Sequence, residues 1–254
     1  MTVRHTTPEP VLRGRTVVIT RPAGTGSSVA RLVRRLGGVP LLLPGLSLRH
    51  VDDPGQAAAA LGAALGDDLL VFTSPAAVRF AARMVPLRTQ ATVLAVGQGT
   101  ARALRLQGVQ APLAPVQRQD SEGLLDHPAL ADLRGRRVAL IGAAGGRGVL
   151  RTELATRGAQ LREVHVYRRA PPRWQRHQLE AVTALSSDAR VLLSSAEALG
   201  CLRVGLPVAA YAALTNAVAV VSSARLAEAA REAGFRQVVV AASAMAADML
   251  VAAA

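Results

Sequence analysis

Three strand–turn–helix units occur in this 254-residue chain and then occur again in the same order. The first set is a strand at 17–20 with the turn Arg-Pro-Ala-Gly-Thr-Gly and a helix at 27–36, a strand at 69–73 running through Ser74-Pro75 into a helix ending at Met84, and a strand at 93–96 passing through Gly-Gln-Gly-Thr into a helix at 101–106. The second set is a strand at 138–141 with a Gly-rich turn and a helix at 149–156, a strand at 191–193 followed by Ser194-Ser195 and a helix, and a strand at 218–221 followed by Ser222-Ser223 and a helix at 225–232. Matching landmarks lie at near-constant offsets: Gly37 and Gly158 by 121 residues, Thr73 and Ser194 by 121, Gly108 and Gly234 by 126. Spacing this even marks an internal duplication. Because the strands are short Val/Leu/Ile runs without alternation, they read as parallel strands covered on both faces. The expected fold class is α/β, with two similar lobes of parallel sheets flanked by helices. Ser27 or Ser28 suits the first N-cap, and Gly37 its helix stop.

Two segments break this pattern. Leu46–His50 and Val164–Arg168 alternate apolar and polar residues, as strands with one wet face do, and Pro44, Asp52-Asp53-Pro54-Gly55 and Pro171-Pro172 bracket them. Paired with each other they form a two-stranded antiparallel connector, residues 44–51 with 163–170. The lobes are then residues 1–43 plus 171–254, which is discontinuous, and residues 52–162.

Composition narrows the chemistry. All thirty basic residues are arginine, and the absence of lysine excludes a P-loop lysine, a Schiff base and pyridoxal phosphate attachment. The single cysteine, Cys201, excludes an internal disulfide and any zinc ribbon, and the chain reads as cytoplasmic. The polar opening resembles neither a signal peptide nor an anchor, and the uncharged run 204–224, broken by Gly205, Pro207, Thr215 and Asn216, reads as buried helix and strand rather than a membrane span. A net charge of +13 suits an acidic partner, but the arginines are dispersed, the aromatic residues number six, and no DNA-binding motif is present. Nucleic acid and membrane are therefore not expected partners. A small polyanion is.

No Gly-rich turn completes a dinucleotide fingerprint, the five histidines have no metal-ligand spacing, and no serine has a recognisable base beside it. No metal or cofactor is expected. What the turns do share is their place after parallel strands, where Gly and Ser at a helix N-terminus offer backbone N–H groups and a positive dipole end to an anion. The site reads as one of backbone donors, hydroxyls and arginines. His165, two residues from Tyr167, reads as a surface histidine. A two-lobed binding protein that closes on an anionic ligand without chemistry fits the same features, although the lack of a signal peptide argues against a periplasmic receptor.

The segments Val-Val-Ile-Thr-Arg-Pro (17–22), Val-Phe-Thr-Ser-Pro-Ala-Ala-Val (71–78), Val-Leu-Ala-Val-Gly-Gln-Gly-Thr-Ala-Arg-Ala-Leu (93–104), Val-His-Val-Tyr-Arg-Arg (164–169) and Ser-Ser-Ala-Arg-Leu-Ala-Glu-Ala-Ala-Arg-Glu-Ala-Gly-Phe (222–235) resemble, in that order, the uroporphyrinogen-III synthase family. The resemblance runs from about Val17 to Ser243. It implies two α/β lobes on a two-stranded ladder with the active site between them, a monomer, and a cofactor-independent lyase acting on hydroxymethylbilane, an open chain of four pyrroles bearing acetate and propionate groups. It also implies a catalytic role for Tyr167. Thr73, Ser74, Gly97, Gly99, Thr100, Ser194 and Ser195 match family turns that face substrate. Ser222 and Ser223 stand where the first half has Gly97 to Thr100, which leaves the hydroxyl equivalent to Thr100 open. Arg21 and Arg147 are the expected carboxylate clamps.

Overall fold

The computed structural model describes residues 11–116, 118, 120–145 and 148–254. In chain order the elements are β1 (Thr16–Ile19), α1 (Ser27–Arg35), β2 (Val39–Leu42), β3 (Ser47–Arg49), α2 (Pro54–Ala64), β4 (Leu69–Phe72), α3 (Pro75–Met84), β5 (Thr92–Ala95), α4 (Gln98–Leu106), α5 (Ser121–Leu125), β6 (Arg137–Ala143), α6 (Val149–Thr156), β7 (Gln160–Ala170), α7 (Arg176–Thr183), β8 (Arg190–Leu192), α8 (Ala196–Gly205), α9 (Val208–Asn216), β9 (Val218–Val221), α10 (Ala224–Glu232), β10 (Gln237–Val240) and α11 (Ala246–Val251). They divide into two compact units, one holding the chain through Ser47 with Ala170–Ala254, the other Leu48–Arg169.

The first unit has the sheet order β10-β9-β8-β1-β2, parallel at every pairing. The second has β3-β7-β6-β4-β5, parallel from β7 to β5, with β3 added beside β7. The segments that alternate in sequence are therefore neighbours in the second sheet. Aligning the sheets by the 121-residue offset places β8 on β4 and β1 on β6, so each unit combines strands from both halves of the duplicated sequence. A side-chain hydrogen bond repeats with the strands. Thr73 Oγ1 donates to Ile141 O at 3.2 Å in the second unit, and Ser194 Oγ donates to Thr20 O at 3.2 Å in the first. Residues 73 and 194, like 20 and 141, are 121 apart.

Burial explains why the strand sequences show no alternation. Leu70 and Phe72 pack on one face of the second sheet with Ala139, Ile141 and Val164, while Leu69 and Val71 pack on the other with Leu94, Val138, Leu150 and Leu154. The first sheet is covered in the same way, by Val18, Val191 and Val221 on one side and Val17, Ile19, Leu192 and Val220 on the other. Each such side chain contributes about 1.5–3 kcal/mol by leaving water.

Local details differ from the sequence expectation at several helix starts. Gly26 is the N-cap of α1, and Ser27 is already helical. Helix α4 begins at Gln98 rather than 101, so the Gly-Gln-Gly-Thr segment is its cap and first turn. The uncharged run 204–224 becomes the end of α8, all of α9, and β9; Val204 and Val208 are exposed at 84% and 88%, whereas Ala210, Leu214 and β9 are buried. Among the described residues, no helix is long and apolar enough to cross a membrane.

Gly45 follows β2 where the chain runs against α8. A Cβ there would lie 2.5 Å from Ala198 Cβ and 2.9 Å from Ala198 Cα, and backbone on a packed helix gives way poorly. Gly45→Ala should destabilise the protein by about 1–3 kcal/mol, read as a lower urea midpoint with an unchanged slope.

Candidate functional site

In a parallel sheet the crossover helix after each strand starts at the strand's carboxyl end, so helix N-termini and their capping side chains collect along one edge. Ser74, Ser195 and Ser223 occupy equivalent positions after β4, β8 and β9. Each caps its helix, accepting the N–H of Ala77 at 3.1 Å, Ala198 at 3.1 Å and Leu226 at 3.3 Å respectively. A hydroxyl that already accepts a backbone N–H keeps its own proton to donate, which suits a carboxylate. The neighbouring hydroxyls of Thr73 and Ser194 are instead spent on strand carbonyls, as described above, and serve to hold adjacent strand ends together.

Each unit has a pocket at this edge. In the second unit it measures about 310 Å³ and brings together Thr73, Ser74 and Tyr167 with Gly142, Gly145, Gly148, Arg151, Glu163, His165 and Arg169. In the first it measures about 220 Å³, is mostly apolar, and contains Arg21, Ser194 and Ser222 beside Ile19, Val29, Leu192 and Met249. Arg21 Nη2 donates to Ala244 O at 3.3 Å.

Tyr167 reaches its pocket because β7 is irregular there. Gly142 pairs with His165 and Ala143 with Tyr167, so the register shifts by one residue, and bulges of this kind re-aim side chains. Tyr167 is 95% buried in the core cluster that includes Phe80, Val166 and Ile141, and its hydroxyl lies 3.3 Å from Ser74 Oγ. Two hydroxyls share one hydrogen bond and hold two protons. Whichever donates, one O–H remains to be offered to a ligand. The other tyrosine, Tyr211, donates to Ala233 O at 2.7 Å, burial pushes its pKa upward, and it lines neither pocket.

The remaining expected residues are placed as follows. Gly97 is the extended N-cap of α4, Gly99 is exposed in its first turn, and Thr100 is buried at 4% exposure; none of the three lines either pocket. Ser195 and Ser223 are helix caps as above. Arg147 lies outside the described residues.

The titratable lining residues Arg151, Glu163, His165 and Arg169 were not among those expected from sequence. His165 Nε2 is 3.6 Å from Glu163 Oε2, Arg151 Nη1 is 3.7 Å from Glu163 Oε1, and Arg169 Nη1 donates to Gly145 O at 3.2 Å. His165 read as a surface histidine in sequence; in the structure it is both exposed and part of the pocket wall. The available signal was positional, since Glu163, His165 and Arg169 lie on the strand that carries Tyr167. Among the described residues, no group of three His, Cys, Asp or Glu side chains could hold a metal ion.

Fold and site together define a duplicated parallel α/β protein with hydroxyl, amide and guanidinium donors at the carboxyl ends of both sheets. A family model described as uroporphyrinogen-III synthase HemD matches residues 27–251, and the chain belongs to the uroporphyrinogen-III synthase family. It is 31% identical over 190 residues to the uroporphyrinogen-III synthase of Escherichia coli K12, a match covering 68% of this chain and 76% of that one. The Salmonella typhimurium enzyme of the same name is 29% identical over 160 residues, covering 60% of this chain and 64% of its own. Among solved structures, uroporphyrinogen III synthase from Thermus thermophilus, in a triple-mutant form, superposes with a TM-score of 0.58 at 25% identity, over 93% of this chain and 96% of that one. The Helicobacter pylori 26695 synthetase matches with the same TM-score at 15% identity and 93% and 96% coverage, which supports the fold.

Gly142 is the tightest backbone position in the pocket, for a Cβ there would sit 2.4 Å from Thr73 Oγ1. Gly142→Ala should break the Thr73–Ile141 link and displace Ser74, lowering turnover on the order of tenfold to a hundredfold while the far-ultraviolet circular dichroism stays native.

Proposed function

We propose that this protein converts hydroxymethylbilane to uroporphyrinogen III, with loss of water and inversion of ring D through a spiro intermediate. Family membership supplies the activity. The observation that carries the site assignment is the meeting of Tyr167, Ser74 and Thr73 in one pocket at a parallel-sheet edge rich in helix N-termini.

The chemistry asks little of an acid or base. Departure of the terminal hydroxyl gives an azafulvene on ring A, pushed by an electron-rich pyrrole. The substituted carbon of ring D then attacks to form the spiro centre, which fragments and recloses with ring D inverted. Unaided, the bilane closes directly to the unrearranged isomer, so the protein's contribution is orientation. The proton left over from the Ser74–Tyr167 pair is assigned to the departing hydroxyl, with Tyr167 as the catalytic residue. Capping serines, turn amides at Gly97 and Gly99, and the guanidinium groups of Arg21 and Arg147 are assigned to the acetates and propionates, each charge-assisted hydrogen bond contributing roughly 1.5–3 kcal/mol. Thr100, buried in α4, and the strand-bound hydroxyls of Thr73 and Ser194 support these turns from behind. The net positive charge of +13 draws the polyanion in. We take the working form to be a cytoplasmic monomer. The mixed character of the pocket around Tyr167, and the family match, favour catalysis over ligand storage.

Two measurements check this reading. Freshly prepared hydroxymethylbilane incubated with the protein should yield uroporphyrinogen III, whereas recovery of the unrearranged isomer alone would contradict it. Tyr167→Phe should lower turnover several-fold or more with the fold intact, because the phenol that is assigned to the departing hydroxyl is gone and only the Ser74 hydroxyl remains; unchanged turnover would remove Tyr167 from the site.

A further inference from the structure

The hydrogen bond between the Tyr167 and Ser74 hydroxyls, at 3.3 Å, is long for such a pair, which favours about 2.5–3.0 Å. It is too weak by itself to fix where the phenol points. The ring, however, lies against Phe80, with centroids 5.3 Å apart and planes 22° from parallel, the offset stack that aromatic quadrupoles favour. Phe80 in turn meets His50, just past β3, edge to face at 5.1 Å and 74°.

Phe80 stands on α3, the helix that Ser74 caps. One rigid helix thus presents both partners of Tyr167: the serine that touches its hydroxyl and the ring that touches its face. Phe80 itself is 91% buried and does not line the pocket, so any influence it has on a ligand passes through Tyr167.

We propose that Phe80 is a positioning residue, which by stacking on Tyr167 sets the plane of the phenol and keeps its hydroxyl at Ser74. The proposal rests on the reading of Tyr167 given above and adds a residue to it. A side chain that merely fills the core would have a different signature, because its loss would lower stability and damage turnover independently of Tyr167.

The test is a double-mutant cycle on the full chain: wild type, Phe80→Leu, Tyr167→Phe and the double variant, assayed for kcat and KM with hydroxymethylbilane. Phe80→Leu should lower kcat several-fold, with KM within about twofold of wild type, and the double variant should be no slower than Tyr167→Phe. Phe80→Tyr, which keeps the stacking face, should restore most of kcat. Multiplying losses in the double variant, or full kcat in Phe80→Leu while Tyr167→Phe is impaired, would overturn the proposal and leave the role of Tyr167 standing. Full turnover in Tyr167→Phe would overturn both.

A readout free of activity is also at hand, since the chain has only two tyrosines. With labelled tyrosine, the Tyr167 ring resonances should move and sharpen in Phe80→Leu as the ring gains freedom, while those of Tyr211 stay in place. Unchanged Tyr167 resonances would overturn the proposal. Should Phe80→Leu fail to fold, Phe80→Met carries the same comparisons.

Discussion

Parallel strand pairing is the constraint from which the rest of this molecule follows. A parallel ladder requires a crossover for every strand, and here most crossovers are helices that begin at the strand's carboxyl end. Helix N-termini therefore gather along one edge of each sheet, with unpaired N–H groups and positive dipole ends. Ser74, Ser195 and Ser223 satisfy part of that demand, and in doing so they become hydroxyls with a proton to give. The donor-rich edge is a by-product of building the fold, and the proposed function uses it to bind a polyacid.

The duplicated sequence is shared out between the units in an unexpected way. Neither half of the chain makes a unit of its own: β8 of the second half pairs with β1 of the first, and β4 of the first pairs with β6 of the second. The repeated hydrogen bonds from Thr73 to Ile141 and from Ser194 to Thr20 show that the two sheets are built on one pattern. Their pockets have nonetheless diverged. Tyr167, Glu163, His165 and Arg169 all come from the long strand β7, whose counterpart β2 has four residues, and the pocket of the first unit is correspondingly apolar.

Much of this was legible in the chain. The parallel strands announced themselves as unbroken apolar runs because both faces are buried, and the duplication could be measured by the spacing of Gly37, Gly158, Thr73 and Ser194. Helix starts were less readable. Gly-Gln-Gly-Thr looks like a turn, yet only Gly97 is extended, and the two residues after it enter α4 with Thr100 buried behind them. Helix α2 is a run of alanines with little amphipathic signal, held at its start by the Asp53 cap on the N–H of Gln56 at 2.8 Å. The site was half visible. Tyr167 is 93 residues from Ser74, the neighbour of Thr73, and nothing but a family likeness links it to them, whereas the bulge beside Gly142 and the stack on Phe80 depend on packing that no local pattern encodes.

The central claim is the proposal that ligand is held by helix-starting turns at the carboxyl ends of parallel strands. Amide hydrogen exchange of the protein with and without the linear tetrapyrrole tests it most directly. The account predicts slowed exchange in the segments around Thr73–Ala77, Gly97–Ala101, Gly142–Gly145, Ser194–Ala198 and Ser222–Leu226. Protection confined to the opposite edge, around Gly66–Asp68, Gln90–Thr92 and Arg136, would contradict it.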